Sequence, residues 1–321
     1  MSVVERLDRF QRSHPRAGLP IAVIYKFVDD QGNYLAALIT YYGFIAVVPL
    51  LLLSSTILSF VLQGDPSLQK ELLDSAVGQF PVVGAQLAQP HGVSGSGFGL
   101  VVGILGTIYG GMGVAQAAQN AMNTIWRVPR NDRPNPLTSR LRSLLVLAIV
   151  GLSVLGTTAL AALGSTLNVF GSEMKILIGV LTLLVNTLVF TTAFRVATAR
   201  EITLRQTVPG AFGAALVWQI LQYVGAYYVQ HVVAKASEVN GVFALVLGLV
   251  AWIYLESVVV VFAAEFNTVR SLRLYPRALL TPFTDDVELT KADERSYTEQ
   301  AQAQRAKGFE EIEVRFEQPP S

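Results

Sequence analysis

No cysteine occurs anywhere in the chain, which excludes a disulfide, a thiolate nucleophile and a cysteine-based metal site. Histidine is nearly absent too. His14, His91 and His231 stand far apart and form no metal-spaced cluster. Charge is scarce: Asp, Glu, Lys and Arg make up 15% of the 321 residues, against about 25% in an ordinary globular domain. Long stretches carry none at all. There is no Walker-type glycine loop and no serine elbow, so ATP-driven transport by this chain alone is not expected. What is abundant is apolar, with 52% of residues hydrophobic. The pattern indicates an all-α, polytopic membrane protein.

Six spans are expected, at about residues 35–62, 98–118, 144–168, 176–194, 208–229 and 242–266. Each is near or above the roughly 20 residues that cross a bilayer core. The loops set the orientation. Segments on one side of the alternation carry 21 Lys and Arg, and those on the other carry Lys70, Lys175 and Lys235 alone. A positive-inside reading places both termini in the cytoplasm. The first apolar run begins behind a polar segment and is too long for a signal-peptide core, so no cleaved signal is expected.

Three domain-level pieces follow. Residues 1–34 form a cytoplasmic amphipathic segment, read either as a surface helix on the inner leaflet or as a solvated arm. Residues 35–275 are the six-helix membrane domain. Its external loop, 63–97, holds one amphipathic helix that starts at Asp65-Pro66-Ser67 and stops at Pro81. Residues 276–321 are a cytoplasmic tail, expected to be largely disordered beyond a short helix around 291–307.

The second span carries the clearest pattern. Gly99, Gly103, Gly106, Gly110 and Gly113 are separated by steps of 4, 3, 4 and 3, which places them on one seam of a helix. Glycine costs about 1 kcal/mol against alanine in a soluble helix. Close approach of another helix within a membrane gives it a purpose. The same helix then passes through Gln116, Gln119, Asn120 and Asn123 to Trp126 and Arg127.

Candidate functional groups are few. Glu256 lies midway along the sixth span, where a charge costs roughly 2.5–3.5 kcal/mol on insertion scales. It is either a functional carboxylate facing a wet interior or a protonated one bonded to a neighbouring helix. Gln219, Gln222, Tyr223 and Gln230 form a polar stripe on the fifth span. They either line a groove or cross-link helices. Tyr42, early in the first span, is a further groove candidate, with interfacial anchoring as the alternative. Arg127, Arg130, Arg133, Arg140 and Arg142, with Trp126, form a basic loop suited to anionic lipid headgroups. Every positive-inside loop shares some of that character. Glu265 reads as one half of a structural ion pair with an inner-loop arginine.

Several ordered stretches resemble the YihY/BrkB family of bacterial inner-membrane proteins. They are Thr40-Tyr41-Tyr42-Gly43-Phe44 with Pro49-Leu50-Leu51-Leu52; then Asn123, Trp126, Val128-Pro129-Arg130, Arg133-Pro134 and Arg140-Leu141-Arg142; then Trp252-Ile253-Tyr254-Leu255 with Ala264-Glu265 and Asn267. The resemblance covers about residues 20–280. Arg273 to Leu279 is similar to a pattern of actinobacterial members. It implies a six-span inner-membrane protein linked to envelope integrity, with a suggested role in lipid or amphiphile transport. The family also carried the name ribonuclease BN, now regarded as a misassignment. The chain departs from the family at Ala263, where glycine is frequent, and at Glu256, where small residues are common.

The residues speak against a nuclease. The inner loops hold no histidine and few acids, Asp132 and Glu201, whereas RNA hydrolysis needs a His pair or metal-holding carboxylates. The expected function is therefore a non-enzymatic path for an anionic lipid or amphiphile, with no cofactor, no metal and no nucleic-acid partner. The alternative is a structural scaffold for envelope assembly with protein partners.

Overall fold

The apolar runs fold as helices, and the polar joints between them as turns. In the computed structural model, residues 3–61, 97–166, 172–231, 238–285 and 287–317 are described. Among them are two short amphipathic helices, α1 (Val3–Ser13) and α2 (Leu19–Asp29). Six long helices follow: α3 (Gly32–Val61), α4 (Gly97–Ile125), α5 (Pro136–Thr166), α6 (Ser172–Ala197), α7 (Leu204–His231) and α8 (Glu238–Leu272). A final helix, α9, covers Lys291–Gln302. No strand occurs among the described residues. The expected external helix at 65–80 lies outside them.

Each long helix packs against the next in the chain, and α8 packs back on α3. The six therefore close a ring of antiparallel neighbours. α4 also reaches across to α6 and α8. Among the described residues, Pro136–Val154, Ile176–Ala197 and Val246–Leu272 are long and apolar enough to cross a membrane, and Gly32–Val47 is a shorter apolar stretch. α4 and α7 carry amides, Gln116 to Asn123 on one and Gln219 and Gln222 on the other.

The core sits at one end of the ring. It is built from Ala36 and Ile39 of α3, Ala121, Met122 and Ile125 of α4, Val146 of α5, Phe194 of α6, Ala211 and Ala214 of α7, and Val261 and Ala264 of α8. Those are starts and ends of alternate helices, as antiparallel order requires. Alanine dominates because small side chains let helix backbones approach closely. The other surface is apolar and open. Leu177, Leu181, Leu184 and Leu188 on α6 are between 42 and 63% exposed.

The glycine seam lies on α3. A Cβ at Gly106 would stand 2.7 Å from the Pro49 ring, at Gly110 2.7 Å from the Ala46 backbone, and at Gly113 2.2 Å from the Tyr42 ring. The partners descend as the glycines ascend, which is antiparallel packing with one helix's small steps seated on the other's bulk. Gly103 is buried, and Gly99 lies in the first turn of the same helix.

Proline inside α7 shows how a broken helix is repaired. Pro209 has no N–H to give to Arg205 O, and Arg270 Nη1 of α8 donates to that carbonyl at 3.0 Å. Beside it, Asn267 accepts from Gly210 N at 2.8 Å and donates to Thr207 O at 2.8 Å. Any Cβ at residue 210 would strike Asn267 and Ala263 O.

The tail meets the rest of the chain through polar groups. α9 starts in a capping box in which Thr290 and Asp293 exchange side-chain and backbone bonds. It returns to the start of the chain, where Gln300 donates to Asp29 O at 2.9 Å. Arg130 N and Asn131 N donate to Ala303 O and Arg305 O. Polar composition suggests a solvated tail, but these polar groups are used against other segments of the protein.

Candidate functional site

The end that carries the core also carries the buried charges. Lys26 of α2 is fully buried. Its ammonium donates to Asp30 Oδ2 at 2.5 Å, to Glu265 Oε2 of α8 at 2.8 Å and to Ile125 O at the end of α4 at 2.9 Å. The last contact sets a cation on a helix C-terminus, where the dipole favours it. Arg127 Nη1 stands 2.7 Å from Asp30 Oδ1, an ion contact whose angle falls short of a hydrogen bond. Two cations and two carboxylates balance. Burial of such groups is tolerated only when they are paired.

Backbone geometry delivers Arg127 to this cluster. Val128 N donates to Asn123 O at 2.9 Å, and Arg127 takes a φ of 55°. This is a Schellman ending in which glycine is the usual residue. A non-glycine residue there costs about 1–2 kcal/mol, and the ion contact to Asp30 offsets it.

A second ionic knot holds the tail. Arg277 is fully buried and pairs with Asp29 at 3.0 Å and with Asp293. Its guanidinium lies 5.1 Å from the centre of the Tyr297 ring. Burial works against the Arg277 charge, but the two carboxylates outweigh it and hold its pKa above the usual value. Burial pushes Asp29 up despite Arg277 beside it. Glu299 is also raised, chiefly by burial, against the pull of Arg127 and Arg295.

The basic loop splits into different fates. Arg127 is ion-paired with its side chain 5% exposed, so no headgroup at the surface can reach it. Trp126 is 1% exposed, inside the protein and out of a headgroup's reach. Arg133 donates to Asn120 Oδ1, Thr124 Oγ1 and Val128 O, and burial lowers its pKa, with Arg130 adding to the effect. Arg130 and Arg140 are exposed. Arg142 lines a cavity of about 670 Å3 together with Arg195 and Arg200, at the junction of α5, α6 and the 198–203 turn.

The polar run of α4 fastens helices. Gln119 bonds Ser143 Oγ and Ser139 O of α5 at 2.8 and 3.1 Å, and Asn123 Oδ1 accepts from Ala199 N at 2.7 Å.

The midspan candidates lie on α7 and α8. A Cβ at Gly225 would stand 2.5 Å from the Trp252 ring, and Gly210 faces Ala263 and Asn267. That antiparallel register sets Glu256 at the level of the Gln219–Gln222 turn. Glu256 lies one helical turn beyond Trp252 on the same helix. Gln219 Nε2 donates to Gly179 O of α6 at 3.5 Å. Gln222 Oε1 is buried with no hydrogen-bond partner. Tyr223 is 71% exposed and turns outward. Tyr42 is occupied by the glycine seam on the opposite side, against α4. The side chain of Gln230 lies outside the described residues.

Sequence reasoning missed Lys26 and Asp30, which read as ordinary surface charges of a polar arm. It gave Glu265 an arginine partner. The partner is Lys26, and Arg127 joins one step further on, through Asp30. It also missed Arg277 and Asp293. The signal for the latter was present, because Thr290-Lys291-Ala292-Asp293 has the spacing of a capping box.

A family model described as Virulence factor BrkB matches residues 23–285. The chain is similar to a UPF0761 membrane protein of Alkalilimnicola ehrlichii, 27% identical over 260 residues, or 77% of this chain and 57% of the relative. It is similar to the inner membrane protein YhjD of Escherichia coli strain K12, 24% identical over 300 residues, or 86% of this chain and 87% of the relative. A UPF0761 membrane protein of Stenotrophomonas maltophilia is 26% identical over 275 residues, 80% of this chain and 62% of that protein. The chain thus spans about three fifths of the length of the UPF0761 relatives it matches. No solved structure matches it. The family match runs through the buried charge cluster and all six long helices, and the chain belongs to the BrkB family of membrane proteins.

Proposed function

We propose that this chain is a six-span protein of a bacterial inner membrane, with both termini in the cytoplasm, that provides a path for an anionic lipid or amphiphile and thereby supports envelope integrity. The placement of both termini, the 126–135 turn and the 198–203 turn at one end of the ring supports that topology. The uneven distribution of Lys and Arg makes it the cytoplasmic end. The reading assigns the chain no catalytic step, cofactor or nucleic-acid partner; its partners are membrane lipids.

One observation carries the path. Gln222 Oε1 is buried and unpartnered at the level of Glu256, halfway along the α7–α8 pair. A polar group left without a partner inside an apolar protein is costly, and a passing headgroup or its water would supply one. The test is lipid translocation in proteoliposomes, with Glu256→Gln and Gln222→Leu beside the unaltered protein. Slowed flux in both supports the path, and unchanged flux in both removes it.

A second reading is favoured by the bond from Gln219 to Gly179, which fastens one helix to another. In that reading the protein is a scaffold for envelope assembly. The same substitutions would then lower thermal stability without any transport step to lose, and a protein partner would co-purify.

A further inference from the structure

We propose that the cavity between α5, α6 and the 198–203 turn is a binding site for the phosphate-bearing headgroup of an anionic lipid. The proposal deepens the membrane-path reading and rests on it for the kind of ligand. The cavity, of about 670 Å3, presents Arg142, Arg195 and Arg200 against the single carboxylate of Glu201. Three guanidinium groups around one space repel one another unless an anion joins them, and their planar forks match phosphate oxygens.

Two details bear on these arginines. Arg142 Nη1 is buried and has no hydrogen-bond partner; Arg127 Nε and Nη2 are buried and unpartnered too, but the Arg127 charge is met by Asp30, whereas no ion pair meets Arg142 among the described residues. A buried charged donor is rarely left so, and in native proteins it is met by water or a ligand. Arg195 gives only its Nε to the protein, to Ile202 O at 3.0 Å. That bond fixes the guanidinium at the cavity wall and leaves the terminal nitrogens for a ligand.

The surroundings favour an amphiphile over a free anion. On α6 the exposed Leu177, Leu181, Leu184 and Leu188 run at steps of 4, 3 and 4, and the same stripe continues through Thr192 to Arg195. On α5 the exposed Leu145 and Leu152 lead in the same way from Arg142. Both stripes begin at the cavity and run into the apolar part of the bundle. A lipid with its phosphate among the arginines would lay its acyl chains along leucines that otherwise face only membrane. The volume exceeds what one phosphate fills and suits a glycerophosphate headgroup.

The experiment is equilibrium binding to the full chain in neutral detergent, using a fluorescent short-chain phosphatidylglycerol as probe. Competitors are short-chain phosphatidylcholine, glycerol 3-phosphate and inorganic phosphate. Arg142→Gln and Arg200→Gln should each weaken probe binding about ten-fold, with Arg140→Gln, exposed outside the cavity, leaving it unchanged. Arg200→Gln on the rim serves where Arg142→Gln lowers the yield of folded protein. Phosphatidylcholine and inorganic phosphate should compete weakly. Unchanged probe binding in the Arg142→Gln/Arg200→Gln double variant overturns the site. Equal competition by inorganic phosphate or glycerol 3-phosphate overturns the lipid and assigns the cavity to a soluble phosphate ester. Failure of the path itself shows differently, as absent flux in proteoliposomes with the binding curves intact.

Discussion

Two sets of arginines and their neighbours occupy the same end of the ring, yet one half of that end is closed and the other open. On the closed side, α2, α3, α4 and α8 bring Lys26, Asp30, Arg127 and Glu265 into a neutral buried set, and glycines meet backbone. On the open side, α5 and α6 leave Arg142, Arg195 and Arg200 around a cavity. Gly151 of α5 has nothing within 4 Å of where a Cβ would stand. Residues of like type, separated by 15 positions in one loop and helix start, thus do different work. Arg127 has its partner within the protein, and Arg142 does not.

The largest test of the contrast is to remove Lys26. Lys26→Met strands two carboxylates beside Arg127 and should lower stability by about 3–5 kcal/mol, read as the unfolding midpoint in detergent. Lys26→Met combined with Glu265→Leu leaves Asp30 with Arg127 and should recover much of that loss. A double variant no better than the single one would mean that the ions do not act as a set. Next come the glycines. Gly110→Val drives side chain into the Ala46 backbone and should cost about 1–3 kcal/mol or more. Gly106→Leu, against Pro49, should likewise disrupt assembly of the bundle. Gly151→Ala, in open space, should stabilise by up to about 1 kcal/mol. Equal effects at Gly110 and Gly151 would erase the distinction between the two sides. On the open side, Arg142→Gln should shift stability by no more than about 0.5 kcal/mol while weakening headgroup binding as described above.

The smallest effect concerns pH. Burial raises the pKa of Glu299 on α9, so the docked tail holds that proton more tightly than an undocked one. The Glu299 contribution to docking is therefore fully present below the ordinary glutamate range and declines as pH rises through the raised value. Amide protection of α9, corrected for intrinsic exchange, should fall modestly over that interval, and Glu299→Gln should flatten the dependence.

How much of this was legible in the sequence depends on distance along the chain. The seam was readable because Gly106, Gly110 and Gly113 sit at helical steps, and spacing alone puts them on one line. The shared end of alternate loops was readable from the distribution of Lys and Arg. Lys26 and Asp30 were not, because an i, i+4 pair in a polar arm looks like any solvated pair. Glu265, 239 positions away, and Ile125, 99 positions away, show that they are buried. The cavity was hidden for the same reason. Arg142 belongs to one loop and Arg195 and Arg200 to another, and only the packing of α5 on α6 joins them. In the tail, composition counts polar residues without showing that Asp29 and Arg130 lie within reach of them.

The bond between Lys26 and Glu265 has a consequence for biogenesis. The chain is made from its N-terminus, and each long helix can pair with its predecessor as it emerges. The ring closes only when α8 meets α3, and Glu265 arrives with that last helix. Until then Lys26 and Asp30 have each other and Arg127, but not the fourth member of the set. Completion of the charge cluster therefore marks completion of the ring, so a nascent chain truncated before α8 exposes an unfinished ionic site to whatever quality control patrols the membrane.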